Sequence, residues 1–301
     1  MFTRILIATD FSPLSDAALA HARTLAGTFG AQLHLLHVLP NLFLRAVVND
    51  PHGDKPAAVD QLLARLTAED RARLQPVPVV ERSDEPADEI VSYARTRDIG
   101  LIVMGTHGRH GMAHTLVGSV AEKVVRAAPC PVLTVRAVPR GETFTRVLVP
   151  TDFSGPSDAA LDCARTIARR LNGTFHLMHV LEELAEVPPA TELVEVGSRE
   201  RRAAHLQEAT ERLAKRLTSD DVALLHATAG AVLGHAASAI VDYAADNGFD
   251  LIVMGTHGRT GLSHLLMGSV AERVIRDAPC AVVTMRHART TANIPAQGGQ
   301  G

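Results

Sequence analysis

The stretch LIVMGTHGRHGMAHTLVGS, residues 101–119, decides the fold of this protein, because an apolar run passes directly into a glycine-rich loop and then into a helical pattern. The run Leu101–Met104 is typical of a strand buried on both faces of a parallel sheet. Four glycines and three histidines follow between Gly105 and Ser119. The same stretch returns as LIVMGTHGRTGLSHLLMGS, residues 251–269.

This repeat extends through the chain. Residues 101–136 and 251–286 align without a gap, and 25 of the 36 positions are identical. Early matching residues lie 142 positions apart and late ones 150, so the second copy has eight extra residues between its second strand and its third helix. A length of 301 residues suits about two domains. We predict domains at 1–138 and 143–288, and a disordered tail at 289–301.

Each copy alternates short apolar runs with helical patterns. In the first copy we predict strands at 4–9, 32–39, 76–80, 101–105 and 131–135. Helices are predicted after Ser12 and Pro13, which suit an N-cap and a first turn, and then within 56–74, 87–98 and 119–128. Five strands alternating with four helices predict an α/β fold, a doubly wound five-stranded parallel sheet in each copy.

The last strand of each copy lies at a sheet edge, where unpaired backbone groups need a partner. Two copies in one chain can satisfy this need internally, so we predict that strand 131–135 pairs with strand 281–285, with Thr134 and Thr284 as counterparts. The chain would then form an intramolecular pseudo-dimer. Further association into a homodimer stays open.

Composition narrows the class of protein. The net charge of −3 gives no electrostatic reason to expect binding to nucleic acid or to an anionic membrane. Three cysteines without a C-x-x-C motif fit a reducing compartment. The sequence offers neither a signal peptide nor an apolar run of about 20 residues. We therefore expect a cytoplasmic protein.

The glycine loop suits a phosphate-bearing ligand. In doubly wound sheets the ligand lies at the carboxyl ends of the strands, where the winding reverses. Here these ends carry Asp10 and the loop from Gly105, and Gly118 with Ser119 opens a helix whose free N–H groups favour an anion. Ser119 is predicted to cap that helix. The alternative, that the glycines only form turns, stays open. No Walker A or dinucleotide fingerprint is present.

The motif G-x2-G-x9-G-[ST] occurs at Gly105, Gly108, Gly118 and Ser119, and again at Gly255, Gly258, Gly268 and Ser269. With the LIVMGTHGR lead-in and the early TDFS, it resembles the nucleotide-binding signature of the universal stress protein family. The resemblance covers both copies and implies the adenine nucleotide alpha hydrolase-like fold, with ATP, ADP or AMP as ligand and Mg²⁺ as a candidate companion of the phosphates. Single-domain members of the family pair through their last strand as twofold dimers, so the resemblance also implies that strands 131–135 and 281–285 run antiparallel.

The resemblance implies which residues of this chain contact the nucleotide. They comprise a strand-1 position and its aspartate, a strand-2 valine, the loop after strand 4 and the start of helix 4. In the first copy these are Ala8, Asp10, Val38, Met104, Gly105, Thr106, His107, Gly108, Arg109, Gly111, Gly118, Ser119 and Val120. In the second copy they are Pro150, Asp152, Val180, Met254, Gly255, Thr256, His257, Gly258, Arg259, Gly261, Gly268, Ser269 and Val270.

Two positions depart from the family pattern. Phe11 and Phe153 stand where family members often have a small residue, and they either crowd the mouth of the site or pack beneath it. Before helix 3 the second copy keeps the family's glycine as Gly234, whereas the first copy has Asp84, an acidic side chain that would repel phosphates.

Other conspicuous residues have structural interpretations as well. The cluster of His107, His110 and His114 is incomplete in the second copy, which weakens a zinc hypothesis. His37 and His179 are expected to be hydrogen-bonded polar groups near the end of the sheet. For Arg109 and Arg259, contact with a terminal phosphate and plain solvation stay open. Cys130 and Cys280 are expected to be small buried residues.

The function implied by this resemblance is nucleotide binding in a stress response, through an unidentified protein partner. Two alternatives stay open, a slow ATP hydrolase and a scaffold whose nucleotide sites are non-essential. The sequence supplies phosphate donors but no evident carboxylate base, so we expect at most weak hydrolysis. No catalytic or metal-binding residue is assigned.

Overall fold

The computed structural model describes residues 2–41, 55–106, 118–136, 143–182, 192–256 and 267–286. The predicted tail at 289–301 and the linker residues 137–142 lie outside these ranges.

The first copy contains five strands and, in the residues described, five helices. They are, in chain order, β1 (Arg4–Ala8), α1 (Pro13–Phe29), β2 (Gln32–Leu39), α2 (Lys55–Ala64), α3 (Ala68–Leu74), β3 (Val77–Arg82), α4 (Pro86–Thr96), β4 (Leu101–Gly105), α5 (Ser119–Ala127) and β5 (Val132–Val135).

The second copy repeats this order. Its elements are β6 (Arg146–Pro150), α6 (Gly155–Leu171), β7 (Thr174–Leu181), α7 (Glu192–Ala214), α8 (Ser219–Leu225), β8 (Thr228–Leu233), α9 (Ala236–Asp246), β9 (Leu251–Gly255), α10 (Ser269–Asp277) and β10 (Ala281–Met285).

All ten strands form one continuous sheet in the order β3-β2-β1-β4-β5-β10-β9-β6-β7-β8. Within each copy the strands are parallel. The chain moves outward from β1 to β3 and then returns to the other side of β1, which is the doubly wound topology predicted from the sequence.

The two copies meet through β5 and β10, which pair antiparallel as predicted. The register differs from the predicted one, because Thr134 lies opposite Val282 and Thr284 lies opposite Val132. The two threonines are therefore diagonal neighbours. Each donates its hydroxyl across the junction, Thr134 to the carbonyl of Val282 (3.2 Å) and Thr284 to that of Val132 (3.3 Å).

This register predicts which cysteine pairs cross-link the two copies. In a background without the native cysteines, Thr134→Cys with Val282→Cys should form a disulfide within one chain, because directly opposed residues meet its Cα separation. The measurement is the mobility of the oxidised protein in denaturing electrophoresis. A cross-link that forms only between chains would contradict the internal pairing.

The sheet has one apolar core on each face, and both cores run through the two copies. The first face is covered by α1, α2 and α3 and by their repeats α6, α7 and α8, through residues such as Leu25, Leu62 and Leu213. The second face is covered by α4, α5, α9 and α10, through residues such as Ile90 and Ile275. Parallel strands buried on both faces account for the unbroken apolar runs in the sequence.

The single helix predicted within 56–74 is wrong, because two helices occupy that range. Thr67 starts α3 as an N-cap: its hydroxyl accepts from the N–H of Asp70, and the Asp70 carboxylate accepts from the N–H of Thr67. Thr218 and Asp221 repeat this capping box at the start of α8. The box ends one helix and begins another, although the apolar spacing continues across it.

Candidate functional site

A cavity of about 250 Å³ lies in the second copy, at the carboxyl ends of β6 and β9 on either side of the reversal in winding. It includes every described residue of the predicted second site. The lining residues are Pro150, Thr151, Asp152, Ser157, Met178, His179, Val180, Ala236, Ile240, Met254, Gly255, Thr256, Gly268, Ser269, Val270 and Ala271. His257, Gly258, Arg259 and Gly261 lie outside the described residues.

The predicted site of the first copy occupies the equivalent end of its sheet. Ala8 pairs with Met104 at the ends of β1 and β4. Val38 lies near the end of β2, and Gly118, Ser119 and Val120 form the start of α5. His107, Gly108, Arg109 and Gly111, like the other cluster members His110 and His114, lie outside the described residues.

The copies differ at the last residue of their first strand. The ladder between β1 and β4 continues to Ala8 and Met104, whereas that between β6 and β9 covers only Val147 and Leu148 with their partners. The residue equivalent to Ala8 is Pro150, which has no N–H to donate. The proline thus accounts for the earlier end of the ladder beside the cavity.

Backbone hydrogen bonds close the base of each glycine loop. In the first copy Gly118 donates its N–H to the carbonyl of Thr106 (2.7 Å), and Thr106 donates to Val135 (2.9 Å). Gly268 and Thr256 repeat the first bond at 2.8 Å. In each copy these bonds therefore hold the end of the fourth strand beside the start of the following helix.

The start of the helix differs from the prediction in one respect. Gly118 and Gly268 are the N-caps of α5 and α10, and Ser119 and Ser269 are the first helical residues. Neither glycine N-cap supplies a side-chain hydrogen bond to its helix. The first turn of α10, from Gly268 to Ala271, lines the cavity, and the positive end of a helix dipole favours an anion.

These N-cap glycines are not required by their backbone angles. Gly118 has φ −59° and Gly268 has φ −64°, values that every residue adopts. What glycine supplies at Gly268 is the absence of a side chain on the cavity wall.

Gly105 and Gly255 have a packing role. A Cβ on Gly255 would lie 2.9 Å from the Cβ of Pro156, and one on Gly105 would lie 3.2 Å from that of Leu14. The first turn of α1 or α6 thus crosses the end of the fourth strand too closely for a side chain. These two glycines thus have a packing role, and the alternative that the motif glycines only form turns stays open.

Gly255→Ala should therefore destabilise the protein by about 1–3 kcal/mol, the usual cost of overpacking. Gly105→Ala is the matched comparison and should cost less, because its contacts are longer. Urea denaturation of both variants measures the difference. Equal stability of Gly255→Ala and the parent protein would contradict the close approach.

The predicted strand-1 aspartates are held in fixed orientations. Oδ1 of Asp10 accepts from the N–H of Ser12 (3.0 Å). Oδ1 of Asp152 accepts both from the N–H of Ser154 (3.1 Å) and from its hydroxyl (2.5 Å). These turns present a carboxylate at the edge of each site.

Phe11 and Phe153 pack beneath the site. Both have left-handed backbone angles, with φ 63° and 65°, which residues other than glycine rarely adopt. The ring of Phe11 is buried in the core of the first face, and Phe153 packs against the same core. Phe153 is not among the described residues that line the cavity.

The strand-2 histidines are hydrogen-bonded, as predicted. Nδ1 of His37 donates to the carbonyl of Thr9, and Nδ1 of His179 donates to that of Thr151, each at 2.7 Å. A carbonyl only accepts, so the proton resides on Nδ1. His179 also lines the cavity.

The predicted equivalence of Asp84 and Gly234 is wrong. Ser83 donates its N–H to Leu39, as Gly234 does to Leu181, so Ser83 occupies the position of Gly234. The first copy has one more residue between β3 and α4 than the second has between β8 and α9. The prediction matched Asp84 to Gly234 by their distance from the start of the following helix, and so missed the extra residue in the first copy.

The side chain of Asp84 is also engaged. Its carboxylate accepts from the backbone N–H of Asn41 (3.1 Å) and from the Asn41 amide (2.6 Å). It fixes the chain just after β2, and each of its carboxylate oxygens accepts one hydrogen bond from Asn41.

The cysteines and histidines supply no metal centre among the residues described. Burial raises the pKa of the thiols of Cys130 and Cys280 to about 12, so both are uncharged at neutral pH. A buried thiol of this kind is a poor nucleophile. Both side chains are partly exposed rather than fully buried.

Sequence reasoning missed several residues of the cavity wall. They are Thr151, Ser157, Met178, His179, Ala236, Ile240 and Ala271. Thr151 and Ser157 share a hydrogen bond of 2.9 Å, as Thr9 and Ser15 do in the first copy (3.0 Å). The repetition of TDFS and SDAAL in both copies was the available signal for this pair.

None of the helices in the described residues is both long and apolar enough to span a membrane.

Comparisons with known proteins agree with the duplication. The profile of the universal stress protein family matches residues 1–136 and 143–286. A universal stress protein of Synechocystis is 27% identical, and the alignment covers 94% of this chain and 99% of that protein. One from Methanocaldococcus jannaschii is 33% identical over 45% of this chain and 83% of its own length.

Solved structures share the fold over nearly the whole chain. The crystal structure of a universal stress protein from Archaeoglobus fulgidus superposes with a TM-score of 0.62 at 20% identity. The superposition covers 94% of this chain and 98% of that one.

Proposed function

The chain belongs to the universal stress protein family, and from this we propose that it binds an adenine nucleotide, ATP above all, in both copies and acts as a regulatory module in a stress response. The observation that carries the proposal is the cavity at the end of β6 and β9, with the glycine-capped start of α10 on its wall.

The cavity lining suits the two parts of a nucleotide. Its apolar side chains, among them Met178, Val180 and Ile240, suit a flat base. The N–H groups at Ser269 and Val270 supply donors for phosphate oxygens. Asp152 supplies a carboxylate for a ribose hydroxyl or for Mg²⁺ that accompanies the phosphates.

We propose binding rather than rapid hydrolysis. Of the described residues that line the cavity, only Asp152 carries a carboxylate. Its Oδ1 already accepts two hydrogen bonds from Ser154, so this oxygen is poorly suited to deprotonate a water. The cytoplasmic location and the unidentified protein partner stay predictions.

Mass spectrometry of the purified protein after gentle denaturation tests the proposal. We expect ATP, ADP or AMP to be released from protein purified without added nucleotide. The double variant Gly118→Val with Gly268→Val, purified in parallel, should release none. Equal amounts from both proteins would indicate carry-over rather than specific binding.

A further inference from the structure

An arginine, a phenylalanine and a histidine form a stack beneath each candidate site, and the second copy has two arginines in it. In the first copy the guanidinium of Arg65 lies 4.4 Å above the ring of Phe11, and that ring lies 4.3 Å from the ring of His37. Nε of Arg65 also donates to the Asp16 carboxylate (2.7 Å) in the first turn of α1. We call this arrangement the Arg–Phe–His stack.

The second copy builds the same stack with Arg216, which precedes Leu217 and Thr218 as Arg65 precedes Leu66 and Thr67, and adds Arg212. Phe153 lies 4.7 Å from His179, and Arg212 and Arg216 lie 4.0 and 5.3 Å from its ring centre. Arg216 forms an ion pair with Asp158, the counterpart of Asp16. The stack therefore recurs although the segments that supply its arginines differ in length.

The stack lies at a turn that needs support. Phe11 and Phe153 each hold a left-handed φ directly after the predicted aspartate, and such angles disfavour residues with a Cβ. A cation above an aromatic ring attracts it. This attraction to the arginines thus stabilises the phenylalanine in the conformation that the turn requires.

The other end of the stack reaches the cavity. Asp152 precedes Phe153 in the turn, and His179 contacts the ring; both line the cavity. A shift of the Phe153 ring would move the carboxylate through the backbone and the imidazole through ring contact.

We infer that Arg212 and Arg216, and Arg65 in the first copy, are positioning residues that hold the strand-1 aspartate and the strand-2 histidine in place for the nucleotide. The inference rests on the proposed function. Phenylalanine replaces a small residue here, so the stack is a feature of this chain rather than one implied by the motif.

The test uses the full-length protein with Gly118→Val, so that titration with ATP and Mg²⁺ reports the second site. Arg212→Gln with Arg216→Gln should raise the Kd about tenfold, which corresponds to about 1.4 kcal/mol. Arg212→Lys with Arg216→Lys keeps both cations and should stay within about threefold of the parent.

Two controls separate positioning from general stability. Arg201→Gln with Lys215→Gln removes the same charge from exposed positions nearby and should leave the Kd unchanged. Phe175→Leu, at the amino end of β7, lowers the melting temperature through the core and should also leave the Kd unchanged.

An unchanged Kd in the glutamine pair, or an equal rise in either control, would overturn the inference. If the Gly118→Val parent binds no ATP, the proposed function fails at this site and the inference falls with it. If the parent binds and only the glutamine pair is weakened, both stand.

Discussion

Replacing Gly118 and Gly268 with valine is expected to weaken ATP binding at least about a hundredfold while both copies stay folded. Each glycine precedes a helix whose first N–H groups we propose as the phosphate site, and Gly268 lines the cavity. A branched side chain would occupy the space of a phosphate. The backbone tolerates the change, because φ and ψ of Gly268 (−64° and 142°) are allowed to valine.

Titration calorimetry measures this loss, and circular dichroism checks the fold. Ala203→Val introduces the same valine side chain at an exposed position of α7 and should leave the affinity unchanged. An unaltered affinity in the double valine variant would exclude the helix start as the phosphate site.

The second large effect concerns stability. Asp221→Asn is expected to destabilise the protein by about 3 kcal/mol, because it removes one partner of a buried ion pair. Arg165 donates to both oxygens of the fully buried Asp221 carboxylate, at distances of 2.8–3.1 Å. Asp162→Asn is the matched control: it pairs with the same arginine but is 74% exposed, so its loss should cost less than about 1 kcal/mol.

The same carboxylate predicts a dependence on pH. Burial alone would raise the pKa of Asp221, but hydrogen bonds from Arg165 and Thr218 outweigh it and lower the pKa. The unfolded chain then binds the proton more readily, so this contribution is complete above the unfolded pKa of about 3.9 and is lost as the pH falls through the folded value. Unfolding free energies in acid should depend less on pH in Asp221→Asn. An identical acid profile would contradict the ion pair.

The arrangement of strands could be predicted from the sequence because its signals are local and occur twice. Unbroken apolar runs such as Leu101–Met104 indicate strands buried on both faces. The same run at Leu251–Met254 indicates the equivalent strand of the second copy. The junction followed from the need to pair an exposed edge, and its antiparallel direction from the family resemblance. Its register did not, since Thr134 and Thr284 are matched in sequence but an antiparallel pair places each opposite a valine.

The site was predictable where it depends on the motif and unpredictable where it depends on packing. The motif includes Gly105 and Gly255 but does not reveal that a helix turn lies 2.9 to 3.2 Å from their missing Cβ atoms. The Arg–Phe–His stack joins residues separated by more than 50 positions in each copy, and no short pattern contains it. The capping box at Thr67 was visible in the sequence. It separates two helices that the apolar spacing alone predicts as one.

Thermal unfolding of nucleotide-free protein, with and without ATP and Mg²⁺, tests the central claim most directly. A ligand bound only by the folded protein should add about 2.7 kcal/mol at 100 times its Kd, which raises the melting temperature by about 2–4 °C per kcal/mol. We predict this rise in the wild-type protein and its absence in the double valine variant. No rise at millimolar ATP, or an equal rise in both proteins, would contradict nucleotide binding at these sites.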